Sequence, residues 1–265
     1  MKKFLGGVAI AAMAATSAAS ASDLPAKAPM AAPLYNWSGF HAGFNAGGAL
    51  DPAHFQTSTV FDLNGYFALT SVPAVNAAGD RKVHTPGFVG GIQAGYDWQT
   101  SNTVLGIEAD FNYMGIKGSA VSSAAYPEFA PDTFTIRQSL KANWLLTVRP
   151  RIGLAANNWL FYVTGGLAVA KIKADFTFFD TIGATENASI SQTKAGWALG
   201  GGIEYGIAGP WSLKVEYLHL DFGDLSTTSI SLSQGGDNFP INPFTHSVKF
   251  SDGIVRAGLN YRFHP

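Results

Sequence analysis

The segment VLGIEADFNY (Val104–Tyr113) alternates with a period of two. Leu105, Ile107, Ala109, Phe111 and Tyr113 share one face. Gly106, Glu108, Asp110 and Asn112 share the other. That period belongs to a β-strand, whose successive side chains point to opposite sides. One face is bulky and apolar; the other is small or ionisable.

The pattern recurs along the chain. In 87–98, Phe88, Ile92, Ala94, Tyr96 and Trp98 oppose Gly91, Gln93, Gly95 and Asp97. In 139–153, Leu146, Val148, Pro150 and Ile152 oppose Thr147, Arg149 and Arg151. In 194–207, Trp197, Leu199, Ile203 and Tyr205 oppose Gly200, Gly202 and Glu204; in 211–223, Trp211, Leu213, Val215 and Tyr217 oppose Ser212, Lys214 and Glu216. The final segment VRAGLNYRFHP sets Val255, Ala257, Leu259, Tyr261 and Phe263 against Arg256, Gly258, Asn260 and Arg262. With 37–50 and 159–171, eight strands are expected. A soluble barrel would turn the bulky face inward and overfill its interior, whereas a barrel in lipid turns it outward. Both alternate, so the pattern leaves the two open.

The connections decide between them. QTSN (99–102), LAANN (154–158) and AGP (208–210) are short. The stretches 51–86, 117–138, 172–193 and 224–248 are long. They alternate, so an up-and-down ring puts every short turn at one end, as in outer-membrane barrels with short periplasmic turns and long extracellular loops. Trp37, Trp98, Trp159 and Trp211 fall at the short-turn end, and Trp144 and Trp197 at the other. These positions predict aromatic girdles at two membrane interfaces. Pro150 cannot donate to a ladder; it falls near the short-turn end of its strand, where a bulge is tolerable. The first long connection has its own apolar stretch, Phe61–Leu69, expected to form a short helix or a hairpin above the membrane.

The remaining features fit an exported chain. Residues 1–21 carry Lys2 and Lys3, an apolar run and small residues at Ala19 and Ala21, as a cleavable signal peptide does. Its removal takes the net charge from −1 to −3. Residues 22–35 read as a Pro/Ala-rich periplasmic linker, and 36–265 as the barrel. WLFYVTGGLAVA (Trp159–Ala170) is too short for a transmembrane helix. No cysteine is present, so no disulfide framework exists. The absence of a basic run argues against nucleic acid as a partner.

Several phrases together resemble the small outer-membrane immunogenic proteins of alphaproteobacteria. They are DLPAKAP, YNWSGFHAGFNAG, GFVGGIQAGYDWQ, VLGIEADF, TVRPRIG, YVTGGLA, GWALGGGIEYG, WSLKVEYLHLDFG and VRAGLNYRF. They span nearly all the strand-forming chain in order, and the loops add nothing. The resemblance implies an all-β, eight-stranded antiparallel transmembrane barrel with an OmpA-like fold, located in the outer membrane. It also implies that Phe263, with Tyr261, is the terminal aromatic signal for assembly. Family members commonly stop on the phenylalanine. Here His264 and Pro265 follow, and they are expected to be a tolerated periplasmic stub.

Glu108 and Asp110 are paired carboxylates two apart, a spacing that general acid–base chemistry can use. Arg149 and Arg151 share that spacing on a corresponding face. The simpler expectation is a lumen in which Glu108, Asp110, Arg149, Arg151, Glu204, Lys214, Glu216, Arg256 and Arg262 pair with one another, because charges in a desolvated interior require partners. His219 and Asp221, with Ser226 nearby, echo a triad only weakly, because side chains two apart on a strand run parallel. His41, His54, His84, His246 and His264 are not spaced as a zinc motif, and GGGIEYG lacks the ending of a phosphate loop. No cofactor, metal or enzymatic activity is expected. The expected role is envelope structure and surface contact through the loops, with a narrow pore as the alternative and a lipid-modifying enzyme as a third reading. Expected partners are outer-membrane lipid, lipopolysaccharide, the barrel-assembly machinery and host or surface ligands of the loops.

Overall fold

A computed structural model describes residues 35–263. The expected signal peptide, linker residues 22–34, and His264 and Pro265 lie outside the described residues. Among the described residues are one helix, α1 (Ser71–Gly79), and twelve strands. The strands are β1 (Gly39–Ala49), β2 (Pro52–Ser58), β3 (Arg81–His84), β4 (Gly87–Thr100), β5 (Thr103–Ala125) and β6 (Thr133–Ala156). They continue with β7 (Trp159–Asp180), β8 (Ala184–Ala208), β9 (Trp211–Ser229), β10 (Ser233–Gln234), β11 (Asp237–Asn238) and β12 (Phe244–Phe263). Antiparallel pairing runs β1–β4–β5–β6–β7–β8–β9–β12 and returns to β1, where Phe40 meets Phe263. The ring is therefore closed and this circuit has no free edge.

The sequence pattern gives eight strands because β2, β3, β10 and β11 are short pieces inside the long connections. β2 continues the pairing of β12 above the point where β1 stops, and β3 pairs with β2. The kink between β1 and β2 is pinned by Asp252 Oδ1, which accepts the N–H groups of Leu50 (3.2 Å) and Asp51 (3.0 Å). The short turns tighten to Ser101–Asn102, Asn157–Asn158 and Gly209–Pro210. Each begins with a left-handed residue (φ 56°, 55° and 54°), as tight two-residue hairpins require.

Two expected loops are mostly strand. β5 and β6 run on until only 126–132 connect them, and β7 and β8 until only 181–183 do. In the lower ring Phe161, Val163 and Leu167 are exposed on the outside of β7. Farther up the same side, Lys171 and Lys173 are exposed, while Ile172, Ala174, Phe176 and Phe178 turn inward and are buried. On β7 the alternation never slips while its chemistry inverts; on β6 the inward parity changes between Ala142 and Leu145, where the register shifts against β7. An outward-apolar template stops matching where the outer face changes from hydrocarbon to water, so the sequence pattern ends these strands too early.

The upper interior is filled from the first connection. Phe55 of β2 packs edge-on against Phe176 at 6.3 Å, and Phe67 against Phe178 and Phe244 at 5.7 and 5.8 Å. Val75 and Ala78 of α1 are buried in the same cluster as Phe67. The helix falls just after the expected apolar stretch. Within that stretch Asp62 makes a turn instead, accepting the Asn64 N–H on its side chain at 2.8 Å and the Gly65 N–H on its carbonyl at 3.0 Å.

Pro150 makes no bulge. Val148 pairs with Leu167 and Arg151 with Thr164, so the register is the same on both sides of it. The ladder omits the pairs at Arg149 and Pro150, and Thr164 Oγ1 donates to the Pro150 carbonyl at 2.9 Å.

Closure brings β1 close to β12. A Cβ on Gly47 would press on the Val255 carbonyl and lie 2.7 Å from Arg256 Cβ. Gly47→Val should destabilise the folded ring by about 1–3 kcal/mol, as overpacking does. A lower urea midpoint for unfolding from detergent micelles is the expected reading.

Candidate functional site

The interior of the lower ring is a layer of charge. All nine side chains expected there point inward and are buried. Glu108 is the hub: Lys214 Nζ lies 2.7 Å from its Oε1 and Arg149 Nη2 3.1 Å from the same oxygen. Arg149 also reaches Asp110 at 2.8 Å and Glu216 at 3.2 Å. Arg256 joins Asp110 (2.8 Å) and Glu216 (2.6 Å), and Arg151 joins Glu204 (3.2 Å). Each carboxylate is thus reached by guanidinium or ammonium groups from other strands, as buried charge demands.

Two members were missing from the sequence-based set. Asp97 on β4 pairs with Arg151 and, at 2.9 Å, with Arg262, which the other expected residues leave without a carboxylate. His41 on β1 lies 3.3 Å from Asp97 and 3.4 Å from Glu108. Asp97 lies on the polar face of 87–98, and in β1 His41, Gly43 and Asn45 alternate with Phe40, Ala42 and Phe44 in the same way; that parity is the signal that could find them. With them the layer holds five carboxylates, four arginines, one lysine and one imidazole. Neutral groups complete it. Tyr162 donates to Glu216 at 2.9 Å, Thr147 to Asp110 at 2.7 Å and Asn260 to Glu204 at 2.9 Å.

Trp37 corrects the girdle expectation. It is fully buried beneath the charge layer, with Arg262 stacked 5.3 Å above its ring and Tyr35 4.5 Å to its side. Val104, Leu160 and Tyr162 complete this lower cluster. Trp98, Trp159, Trp197 and Trp211 are exposed on the outside. The cause is that Trp37 precedes β1, where no pleat dictates an outward direction. At the seam Phe263 is half-exposed, 5.5 Å from Phe40 and 4.9 Å from Tyr261, and Tyr261 meets Trp211 at 5.1 Å.

Above the charge layer one polar cluster is buried among rings. His246 lies between Phe176 and Phe244, with Nδ1 3.0 Å from Thr57 Oγ1 and Nε2 3.2 Å from Glu186. Gln138 donates to Thr57 Oγ1 (2.9 Å) and to the Gly79 carbonyl (2.8 Å), tying the first connection to the ring wall. On the outer face His219 meets Ser251 Oγ at 3.3 Å and Trp197 at 5.5 Å, while Asp221 accepts the Gly223 N–H at 2.7 Å. The triad echo is therefore not assembled: His219 faces neither Asp221 nor Ser226.

A closed antiparallel ring with an apolar outer belt and a salt-bridged interior defines the class of outer-membrane β-barrels. The chain matches the outer membrane protein beta-barrel domain family over residues 8–237 and belongs to it. It is 38% identical over 260 residues to the 31 kDa outer-membrane immunogenic protein of Brucella melitensis, covering 96% of this chain and 97% of that one. The 22 kDa outer membrane protein of Rhizobium leguminosarum bv. viciae is 30% identical over 173 residues, 64% of this chain and 67% of that one. These relatives place the chain in the alphaproteobacterial outer-membrane immunogenic protein family and in the outer membrane. Among solved structures, Neisserial surface protein A is similar with a TM-score of 0.34 at 14% identity, covering 85% of this chain and 98% of that one.

Glu108→Gln removes the hub and leaves Lys214 and Arg149 short of a counter-charge. The expected loss is about 3–5 kcal/mol of unfolding free energy, the usual penalty for breaking a buried pair. Arg149→Met should cost a similar amount, and the double variant less than the two together, since the residues share one network. Urea unfolding of all three in micelles gives the coupling.

Proposed function

We propose that the ring is an eight-stranded transmembrane barrel with a filled, non-conducting lumen, anchored in the outer membrane to contribute to envelope structure and to present its four long connections outside the cell. The observation that carries this reading is the stack of layers. Trp37 and its aromatic neighbours occupy the short-turn end; the charge layer sits above them; Phe55, Phe67, Phe176, Phe178 and Phe244 fill the space above that. Eight strands enclose an interior that side chains can fill. The ion pairs cross-link the wall, a structural role in place of a catalytic one. The family relatives are named as immunogenic outer-membrane proteins, which supports surface exposure and adds no catalytic activity.

In this reading the short turns are periplasmic and the long connections extracellular, after export by the signal peptide. Outer-membrane lipid and lipopolysaccharide cover the outward apolar belt. The barrel-assembly machinery recognises the last strand through Phe263 and Tyr261. The long connections meet host or surface ligands.

Two measurements test this. Folded protein in planar bilayers should give no stepwise conductance, and reproducible steps would overturn the filled lumen. Phe263→Ala should reduce the heat-modifiable, surface-assembled fraction several-fold, while deletion of His264 and Pro265 leaves it unchanged. Loss of assembly on deleting those two residues would sink the terminal-signal reading.

A further inference from the structure

All four long connections meet at one cavity of about 210 Å³ at the top of the ring. The first supplies Tyr66, Phe67 and Ser71, and the second Tyr126 and Phe129. The third adds Ile182 and the fourth Gln234. Phe67, Tyr126 and Ser71 are buried; Phe129 and Ile182 are exposed at the rim. With Ala68, eight residues line it; four are aromatic and none is a Lys or Arg. Ser71 Oγ is buried and has no hydrogen-bond partner within the protein. A buried hydroxyl left unpartnered on a cavity wall is suited to a polar group of a ligand.

The electrostatics of the cavity have one sign. Asp180 Oδ2 accepts the Tyr66 hydroxyl at 2.5 Å and the Tyr126 hydroxyl at 2.8 Å. Its Oδ1 accepts the N–H groups of Ile182 (3.1 Å) and Ala184 (2.8 Å). Burial, followed by the nearby Asp180 carboxylate, pushes both phenols well above their ordinary range, so they stay protonated and their rings remain neutral donors to the carboxylate. Farther out, the segments 59–79, 126–132, 180–184 and 230–243 carry Asp62, Glu128, Asp132, Asp180 and Asp237 and contain no Lys or Arg, whereas Asp80, at the far end of α1, pairs with His54 and adjoins Arg81 and Lys82. Such a mouth attracts cations and repels anions. An aromatic wall attracts a cation through its ring faces, most strongly one that sheds water easily.

We propose that this cavity binds a quaternary ammonium group, with the aromatic rings around the methyl groups and Ser71 Oγ available to a neighbouring hydroxyl or ester oxygen. The inference rests on the surface-contact reading for access to ligands from outside the cell. The choline headgroup is the chemical type, whether free in solution or carried on a lipid.

The test is calorimetric titration of the folded full chain, in a polyoxyethylene detergent free of choline, with choline and with its neutral isostere 3,3-dimethylbutan-1-ol. Choline should bind about tenfold more tightly, since only the charge distinguishes the two. Phe129→Ala, at the exposed rim, should weaken choline several-fold while the protein still shows heat-modifiable migration. A second arm adds phosphatidylcholine or phosphatidylglycerol vesicles to the protein held in nanodiscs. Binding of free choline assigns a soluble ligand. Capture of phosphatidylcholine vesicles alone assigns a lipid headgroup. Binding of neither, or equal binding of the isostere, would overturn the proposal. Because the titration does not depend on which way the barrel faces, its failure is separable from that of the surface reading, which protease digestion of the long connections on intact cells addresses.

Discussion

Glu108 is where the ring meets its main constraint. A closed wall in lipid leaves its inward side chains no water to dissolve in, and five carboxylates face inward there. Each requires a cation within reach, and no strand supplies enough for its own. β6 contributes Arg149 and Arg151, β9 Lys214, and β12 Arg256 and Arg262. The layer is satisfied only when β4, β5, β6, β8, β9 and β12 hold their register together. A one-residue slip in any of them would send charges into lipid. The ion pairs are thus less a source of net stability than a condition on how the ring closes.

That condition also explains the layering. The charge layer occupies the level where the outer face is apolar, because large apolar groups there are assigned to lipid and the interior receives what remains. Higher up, the outer face of β7 carries Lys171 and Lys173, and the interior takes Ile172, Phe176 and Phe178. The first connection then adds Phe55, Phe67 and α1 to this upper core. The molecule is a membrane barrel below and resembles a water-soluble barrel above, on the same continuous strands.

Much of this was legible. Period-two runs locate every strand of the ring circuit, and the alternation of short and long connections indicates its polarity: turns at one end, loops at the other. Nine interior charges followed from parity alone. Asp97 and His41 obey the same parity, but parity alone does not show that they join the network, which depends on Arg151, Arg262 and Glu108 on other strands. The upper halves of β5 to β8 are not legible as strands from an outward-apolar pattern, since the chemistry of each face inverts there. Trp37 was misplaced because its direction is set by Arg262 and Tyr35, which are distant or non-strand neighbours.

By itself the sequence determined where the core of each ring strand lies and which face its side chains take, because these depend on neighbours one or two positions away; that the bulky face belongs in lipid followed from the alternation of short and long connections. Only the tertiary structure decided who pairs with whom. Arg262 finds Asp97 across 165 residues of chain, and Thr57 meets His246 across 189. Both contacts exist because β12 returns to close on β1 and then continues along β2, bringing the first and last strands of the ring to one seam. Ring closure is a property of all the strands at once, and no local pattern encodes its outcome.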